Sequence, residues 1–336
     1  MSRRLVALLV LGGTVLLVLL LHHVGLDFLL DNVRRTGWML APIGAVYAGV
    51  YACNALACWL VMADLPGRPP YGKTLLIMVS GFALSSVTPF VQLGGEPYKV
   101  GALSPWLGTQ RATGTVLSYY MLNTLSNLLT WLVAIAAVLA LFRPAAPTAL
   151  GLAALAAALL LLLVFVFSRH RAGVFGAGLR LLGRLPLLRR LGPLVERRRD
   201  ALLQLDEQIV GFYRRSPRRF ALALAIDFAG RTVGMLEYYL IARSVGVPIS
   251  FVQAFVMGSF LTLGLNVLFF MPFDLGSREG GTALIFGTLG LPSSLGLYAG
   301  IVTRLRWALW AAIGLALMWG VGRREQVSPA VTTGGA

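Results

Sequence analysis

The stretch Pro89-Phe-Val-Gln-Leu-Gly-Gly-Glu96 interrupts an apolar segment of this chain and decides how we expect the chain to fold. A related stretch, Pro272-Phe-Asp-Leu-Gly-Ser-Arg-Glu279, interrupts a second apolar segment. Both begin with Pro-Phe, contain Leu-Gly and end in Glu seven positions after the proline. Proline lacks the amide donor that a helix needs, and glycine adopts backbone angles that other residues avoid. Each stretch therefore predicts a broken helix.

The composition places these breaks in a membrane protein. Of the 336 residues, 57% are hydrophobic and 12% are charged, whereas a soluble domain carries about 25% charged residues. Several uninterrupted apolar runs approach the roughly 20 residues that a helix needs to cross the hydrocarbon. These features exclude a single soluble domain, a disordered chain and a disulfide scaffold, and the continuous runs do not fit an outer-membrane barrel. The sequence predicts an all-α polytopic membrane protein.

The apolar runs predict about six full spans and two segments that enter the membrane and return. The predicted spans are the runs 5–21, 38–63, 113–141, 148–167, 220–241 and 293–320. The interrupted segments, 74–98 and 251–291, are predicted to be re-entrant broken-helix hairpins. Residues 1–322 would then form a single integral membrane domain, and residues 323–336 a short polar tail in the cytoplasm.

The basic residues favour this re-entrant topology. The chain has 29 Lys and Arg against 13 Asp and Glu, and basic loops stay on the cytoplasmic side. If every run crossed, the arginine-rich stretch 168–219 would lie outside, against this rule. Two hairpins that enter from opposite faces place that stretch and both termini in the cytoplasm. The outer loops then hold only Arg34, Arg35, Arg143 and Arg243.

Two broken helices that enter the membrane from opposite faces are related to each other as an inverted repeat. Many secondary transporters build their site from such a repeat, near the middle of the bilayer. Non-helical backbone at that depth is tolerated only where it is buried in protein or lines a wet cavity. We therefore expect a multi-pass protein of the cytoplasmic (bacterial inner) membrane with a polar cavity between its two broken helices.

The two stretches resemble the motifs of a known family, the transmembrane region of lysylphosphatidylglycerol synthases and the flippase-like proteins built on it. The first is similar to the family's Pro…Leu-Gly-Glu…basic pattern and the second to its Pro…Gly…Arg-Glu pattern. The residues that carry the resemblance are Pro89, Leu93, Gly94, Gly95, Glu96 and Lys99 in the first stretch, and Pro272, Gly276, Arg278 and Glu279 in the second. The resemblance extends over nearly the whole chain.

The chain also departs from the family pattern. Many members carry an acidic–Arg…Asp triplet where this chain has Tyr119, Tyr120 and Asn123, and many have Arg where this chain has Lys99. The resemblance implies a lipid-translocating membrane domain. It also implies, as an expectation, that the soluble aminoacyl-transferase domain of the bifunctional members is missing.

Polar residues within the predicted spans and breaks are the candidates for a substrate site. An ionisable side chain at the bilayer centre costs at least roughly 2.5–3.5 kcal/mol on insertion scales, so each needs a partner or a task. The candidate substrate-binding residues are Glu96, Lys99, Arg278, Glu279, Asp227, Arg231, Arg304, Tyr120, Asn123 and Asn127, and the candidate break residues are Pro89, Gly94, Gly95, Pro272 and Gly276. The basic residues and positive helix ends suit a phosphate. The carboxylates suit a cationic group or a coupling proton.

The same residues also suit structural roles. Asp227 and Arg231, four positions apart on one helix face, form either an internal ion pair or a headgroup site. Glu96 and Glu279 either contact substrate or are neutralised by the neighbouring Lys99 and Arg278, which would pin the hairpins. The neutral polar residues of the span 113–141 either line the cavity or join helices. Arg304 is expected to face inward, since it matches an arginine of the family that the chain resembles.

The basic stretch 169–219 predicts contact with the membrane surface. Its leucines fall roughly on one face with arginines around them, a pattern typical of helices that lie on anionic lipid headgroups. We expect such interfacial helices within 169–218. A charged loop that only sets the orientation of the protein is the alternative.

These features together predict a lipid flippase that moves an anionic or zwitterionic lipid, or a lipid-linked intermediate. The alternatives are a membrane-embedded transferase acting on a lipid headgroup, and a scaffold that docks an envelope-lipid synthase. The chain has no Gly-x-x-x-x-Gly-Lys-Ser/Thr nucleotide loop and no His or Cys cluster at metal-ligand spacing. We therefore expect no cofactor, no metal and no nucleic-acid partner, and a transporter rather than an enzyme.

Overall fold

The structure is a computed structural model that describes residues 26–86, 94–172, 204, 210–212, 216–268, 274 and 276–326. Within these ranges the chain is helical and contains no strand, which confirms the all-α prediction. The helices are α1 (Leu26–Thr36), α2 (Leu40–Val61), α3 (Tyr71–Ser86), α4 (Gly95–Leu107), α5 (Thr109–Ala137), α6 (Ala146–Ala172), α7 (Pro217–Gly234), α8 (Leu236–Ser244), α9 (Phe251–Val267), α10 (Ser277–Thr288) and α11 (Ser293–Gln326). A 3-10 turn joins α1 to α2, and a π-helical turn extends α5 to Phe142.

Four helical stretches among the described residues are long and apolar enough to cross a membrane. They are Leu30–Val61, Thr109–Phe142, Ala146–Ser168 and Ser293–Trp319. They coincide with four of the predicted spans, and they indicate a multi-pass membrane protein. The predicted span 5–21 lies outside the described residues. The predicted span 220–241 is divided at Met235 into α7 and α8, so the number of spans stays a prediction.

Local sequence signals account for several helix ends. The Ser250 hydroxyl accepts a hydrogen bond from the Gln253 amide at 3.2 Å, and the Gln253 side chain accepts one from the Ser250 amide at 2.8 Å. This capping box satisfies two backbone donors at the start of α9. Pro217 begins α7, where its missing N–H leaves no helical hydrogen bond unmade. Gly108 has φ +77° between α4 and α5, so it allows a tight turn that other residues disfavour.

Each predicted break separates two helices that pack against each other: α3 against α4, and α9 against α10. Where α3 crosses α4, a Cβ on Gly95 would lie 2.0 Å from the Gly81 carbonyl oxygen. At the far end of the pair, a Cβ on Gly67 would lie 2.4 Å from the Trp106 carbonyl oxygen. The chain thus leaves along α3 and returns along α4 to the same end. A re-entrant segment requires this geometry, although its place in a bilayer stays a prediction.

Two contacts join segments that were predicted to lie on the same side of the membrane. Asp64 and Arg219, which belong to two segments predicted to be cytoplasmic, form an ion pair. The hydrogen bond from the Arg219 guanidinium holds the pKa of the Asp64 carboxyl below its ordinary value. At the opposite end, the Thr36 hydroxyl lies 3.0 Å from the Ser244 hydroxyl. Both of these residues directly follow arginines that were predicted to be outside.

The described structure has two halves, α1–α6 and α7–α11. They pack in an exchanged pattern, in which one helix of each hairpin packs on a long helix of the other half. The helix α3 of the first half lies on α11 of the second, and α9 of the second half lies on α5 of the first. Within each half, the second helix of the hairpin packs on the long helix that follows, α4 on α5 and α10 on α11. The helices α2 and α7 approach closely, and a Cβ on Gly230 would lie 2.7 Å from that of Cys53. This pattern is compatible with the predicted inverted repeat.

Cysteine accessibility tests the first re-entrant segment. In a variant whose Cys53 and Cys58 are replaced by alanine, we expect Pro70→Cys and Thr109→Cys to react with a membrane-impermeant maleimide from the cytoplasmic side. Ala145→Cys should react only from the outer side, because α5 lies between Thr109 and Ala145. Reaction of the first two cysteines from opposite sides would show that the segment between them crosses the membrane.

Candidate functional site

A cavity of about 500 Å³ lies beside the first break, within the range of about 300–1,000 Å³ that is typical of ligand sites. Helices α2 to α5 form most of its wall, and one residue each from α6 and α9 completes it. Five of the predicted site residues line this cavity: Glu96, Lys99, Tyr120, Asn123 and Asn127. The last three share a face of α5, since they are three and four positions apart.

Glu96 and Lys99 form an ion pair on the cavity wall. The helix α4 begins at Gly95, so Glu96 lies in its first turn and Lys99 one turn later. The Lys99 Nζ donates to Glu96 Oε1 at 2.8 Å, and the two side chains are 12% and 25% exposed. The other carboxylate oxygen, Glu96 Oε2, is buried and has no hydrogen-bond partner among the described residues. An unpaired buried polar atom costs about 1–3 kcal/mol, so a ligand donor would be stabilised here.

Asp227 and Arg231 lie behind the cavity wall and bind its polar residues. The Arg231 Nη1 donates to Asn127 Oδ1 at 2.6 Å, and Nη2 donates to the Asn123 carbonyl oxygen at 3.0 Å. The Arg231 Nε also lies 3.2 Å from Asp227 Oδ2. Asp227 is fully buried and accepts hydrogen bonds from the Tyr119 hydroxyl and from Asn123 Nδ2, each at 3.3 Å. The ion pair therefore joins α7 to α5 and also supports the site.

This network sets the orientation of two amide groups on the cavity wall. Arginine only donates hydrogen bonds, and an ionised aspartate only accepts them. Asn127 must therefore turn its oxygen toward Arg231, and Asn123 must turn its amide nitrogen toward Asp227. The Asn127 Nδ2 donor and the Asn123 Oδ1 acceptor are not used in this network, and both residues line the cavity.

The second break forms a separate ionic cluster. Glu279 is fully buried; its Oε1 accepts from Arg304 Nε at 2.5 Å and its Oε2 from the Gly276 amide at 3.1 Å. Arg278 pairs with Asp274 at 2.8 Å rather than with Glu279, and Arg304 also donates to the Asp274 carbonyl oxygen at 3.1 Å. None of these residues is among the described residues that line the cavity. A cavity shared by both breaks stays a prediction.

The backbone at the breaks is described in part. Pro89 and Pro272 lie outside the described residues. Gly94 directly precedes α4, and Gly276, with φ +73°, directly precedes α10. Asp274 has φ +53°, a left-handed conformation that few residues other than glycine adopt. The Asp274 side chain and carbonyl are both bound by arginines, and these contacts support its conformation.

Several residues of the cavity and of the second ionic cluster were not predicted. The sequence did contain a signal for the Asp274–Arg278 pair, because the two residues are four positions apart and this spacing allows an ion pair on a helix. Tyr51 and Asn54 of α2 line the cavity, but single polar residues in an apolar helix have no pattern that separates a cavity face from a packed one. The predicted interfacial helices of 169–218 lie mostly outside the described residues.

Replacing Arg231 with lysine tests the support of the cavity wall. The variant keeps the charge but loses the forked donors to Asn127 and Asn123. We expect the free energy of unfolding to fall by about 1–3 kcal/mol, measured as a lower thermal midpoint in detergent. Arg243→Lys is the matched control, because Arg243 is exposed and surface changes are usually within about 0.5 kcal/mol. Equal midpoints for the two variants would contradict this role of Arg231.

Comparison with known proteins gives a match over most of the chain. The family model described as the lysylphosphatidylglycerol synthase TM region matches residues 4–314. The matched range includes both breaks, the cavity and all the ion pairs described above. No curated protein and no solved structure matches the chain.

Proposed function

Because the chain belongs to the family of the lysylphosphatidylglycerol synthase transmembrane region, we propose that it translocates a lipid or a lipid-linked intermediate across the membrane. The family relates the chain to lipid modification or translocation. One observation favours translocation over modification: apolar helices enclose a polar cavity that has an ion pair and several amides on its wall. A solvent-like interior of this kind offers a headgroup the hydrogen bonds that it loses on leaving water.

The edge of the cavity suits the lipid tails. Tyr120 and Leu162, which line the cavity, are 52% and 45% exposed at its rim. Leu162 belongs to α6, and in the apolar span Ala146–Ser168 of this helix only 6% of the residues in the window that defines the span are buried. In the proposed mechanism the headgroup enters between these residues while the acyl or isoprenoid tails stay in the bilayer beside α6.

We infer that the two broken helices act as the two halves of an inverted repeat in the cytoplasmic membrane, with both termini inside. The exchanged packing of α3 on α11 and of α9 on α5 supports this arrangement. The return of the α3–α4 pair to its starting end supports the re-entrant geometry of the first half. The basic stretch 169–219 would meet the anionic headgroups of the cytoplasmic leaflet.

Reconstitution tests the proposed function. Purified protein is placed in liposomes that carry phospholipids labelled with a fluorophore on one acyl chain, and dithionite quenching reports their movement between leaflets. We expect movement well above that of protein-free liposomes. The double variant Glu96→Ala/Lys99→Ala should slow it about tenfold or more, since a hydrogen bond to a charged group contributes about 1.5–3 kcal/mol and 1.4 kcal/mol corresponds to a tenfold change.

The matched control removes another ion pair of the same spacing. Asp31 and Arg34 are also three positions apart, but their side chains are 63% and 80% exposed. Asp31→Ala/Arg34→Ala should leave the movement unchanged. Wild-type protein that moves no lipid faster than protein-free liposomes would overturn the proposed function and favour a transferase or a scaffold.

A further inference from the structure

The charges on the cavity wall sum to zero. Among the described residues that line the cavity, Glu96 is the acidic one and Lys99 the basic one, and they pair with each other at 2.8 Å. The rest of this lining is neutral and consists of amides, phenols, hydroxyls and apolar side chains. A headgroup with a net charge would therefore bring an uncompensated charge into an enclosed site whose own charges already cancel, which is costly.

Two residues of the wall also carry a buried polar atom that has no hydrogen-bond partner in the described structure. The two glutamates of the breaks differ in this respect: both oxygens of Glu279 are bound by protein groups, whereas Glu96 Oε2 has no partner among the described residues. The Tyr51 hydroxyl, on a side chain that is 5% exposed, is likewise buried without a hydrogen-bond partner in the described structure. Both residues line the cavity.

We propose that the cavity selects zwitterionic phospholipid headgroups, with the ammonium at Glu96 and the phosphate at Lys99; this inference rests on the proposed translocation function. Such a headgroup enters between the two side chains and replaces one ion pair by two, so no charge is left unpaired. Its ammonium gives Glu96 Oε2 the donor that it lacks. Asn127 supplies an amide donor and Asn123 an amide acceptor for the same two groups.

The test compares three acyl-labelled lipids in the liposome assay: phosphatidylethanolamine, which is zwitterionic, phosphatidylglycerol, which is anionic, and an ethylphosphatidylcholine, which is cationic. We expect wild-type protein to move the zwitterionic lipid at least about tenfold faster than either charged lipid, a difference of about 1.4 kcal/mol. Glu96→Gln leaves the wall with one positive charge and should shift the preference to the anionic lipid. Lys99→Gln leaves one negative charge and should shift it to the cationic lipid.

A second pair of variants changes the charge without touching the ion pair. Thr124 lines the cavity and is half-buried, and among the described residues its hydroxyl bonds only the Tyr120 carbonyl of its own helix. Thr124→Asp and Thr124→Lys should therefore fold and should shift the preference toward the cationic and the anionic lipid respectively. Equal rates for the three lipids in wild-type protein, or an unchanged preference in all four variants, would overturn the inference while translocation stands. An uncharged glycosyl lipid that moves as fast as phosphatidylethanolamine would also overturn it. If wild-type protein moves none of the four lipids, the proposed function itself fails.

Discussion

Replacing Arg306 with methionine is expected to lower the free energy of unfolding by about 3–5 kcal/mol, because it leaves a buried carboxylate without its partner. Arg306 Nε and Nη2 donate to the two carboxylate oxygens of Glu237 at 2.9 and 3.1 Å. The side chains of Arg306 and Glu237 are 5% and 0% exposed. The guanidinium also lies 3.5 Å from the centre of the Tyr47 ring, a contact that adds a cation–π attraction.

The measurement is the thermal or denaturant midpoint of purified protein in detergent. Arg34→Met is the matched control, because Arg34 pairs with Asp31 at the surface, and we expect a change within about 0.5 kcal/mol. The double variant Arg306→Met/Glu237→Met should recover most of the loss, since a buried ion pair replaced by apolar groups is often neutral in stability. A double variant as unstable as Arg306→Met would show that lost packing, rather than the unpaired carboxylate, causes the effect.

Replacing Gly95 with alanine is expected to separate α3 from α4 beside the cavity. Its Cβ would lie 2.0 Å from the Gly81 carbonyl oxygen and 2.4 Å from the Ser85 hydroxyl. Backbone cannot move aside as a flexible side chain does, so we expect a loss of roughly 3 kcal/mol, the upper part of the usual range for overpacking. Lipid movement should fall with it, because Glu96 follows directly in the chain and its position depends on this crossing.

Gly101→Ala on the same helix is the control. A Cβ at Gly101 would meet no atom within 4 Å, so this substitution should be neutral or should stabilise α4 by up to about 1 kcal/mol through its helix propensity. The thermal midpoint and the rate of lipid movement are measured for both variants. If Gly95→Ala behaved like Gly101→Ala, α3 and α4 would not approach each other as described.

Much of the fold was predictable from the sequence because it depends on local properties. The apolar runs predicted the helices of the four candidate spans to within a few residues at most ends. The breaks were predicted from proline and glycine, and the family match over residues 4–314 confirms the resemblance that their motifs carried. The division of 220–241 at Met235 was not predicted, since the run is continuously apolar apart from its buried charges.

The sequence singled out five of the residues that line the cavity, but it did not show which residues bind one another. Spacing on one helix correctly suggested that Asp227 and Arg231 form an ion pair, and the pair is observed at 3.2 Å. Spacing alone did not show that Arg231 also binds Asn123 and Asn127, which are more than 100 positions away in the chain. Nor did it show that Glu279 pairs with Arg304 rather than with the adjacent Arg278.

By itself, the sequence determined that this chain is a membrane protein of helices with two breaks. A bilayer offers no water to unpaired backbone groups, so each apolar segment must satisfy its own hydrogen bonds, and that is a property of the segment alone. Only the tertiary structure decided which buried charges meet, which polar face lines the cavity, and which glutamate has an oxygen without a partner among the described residues. These depend on how helices from distant parts of the chain cross, and close approaches such as that of Gly81 and Gly95 set those crossings.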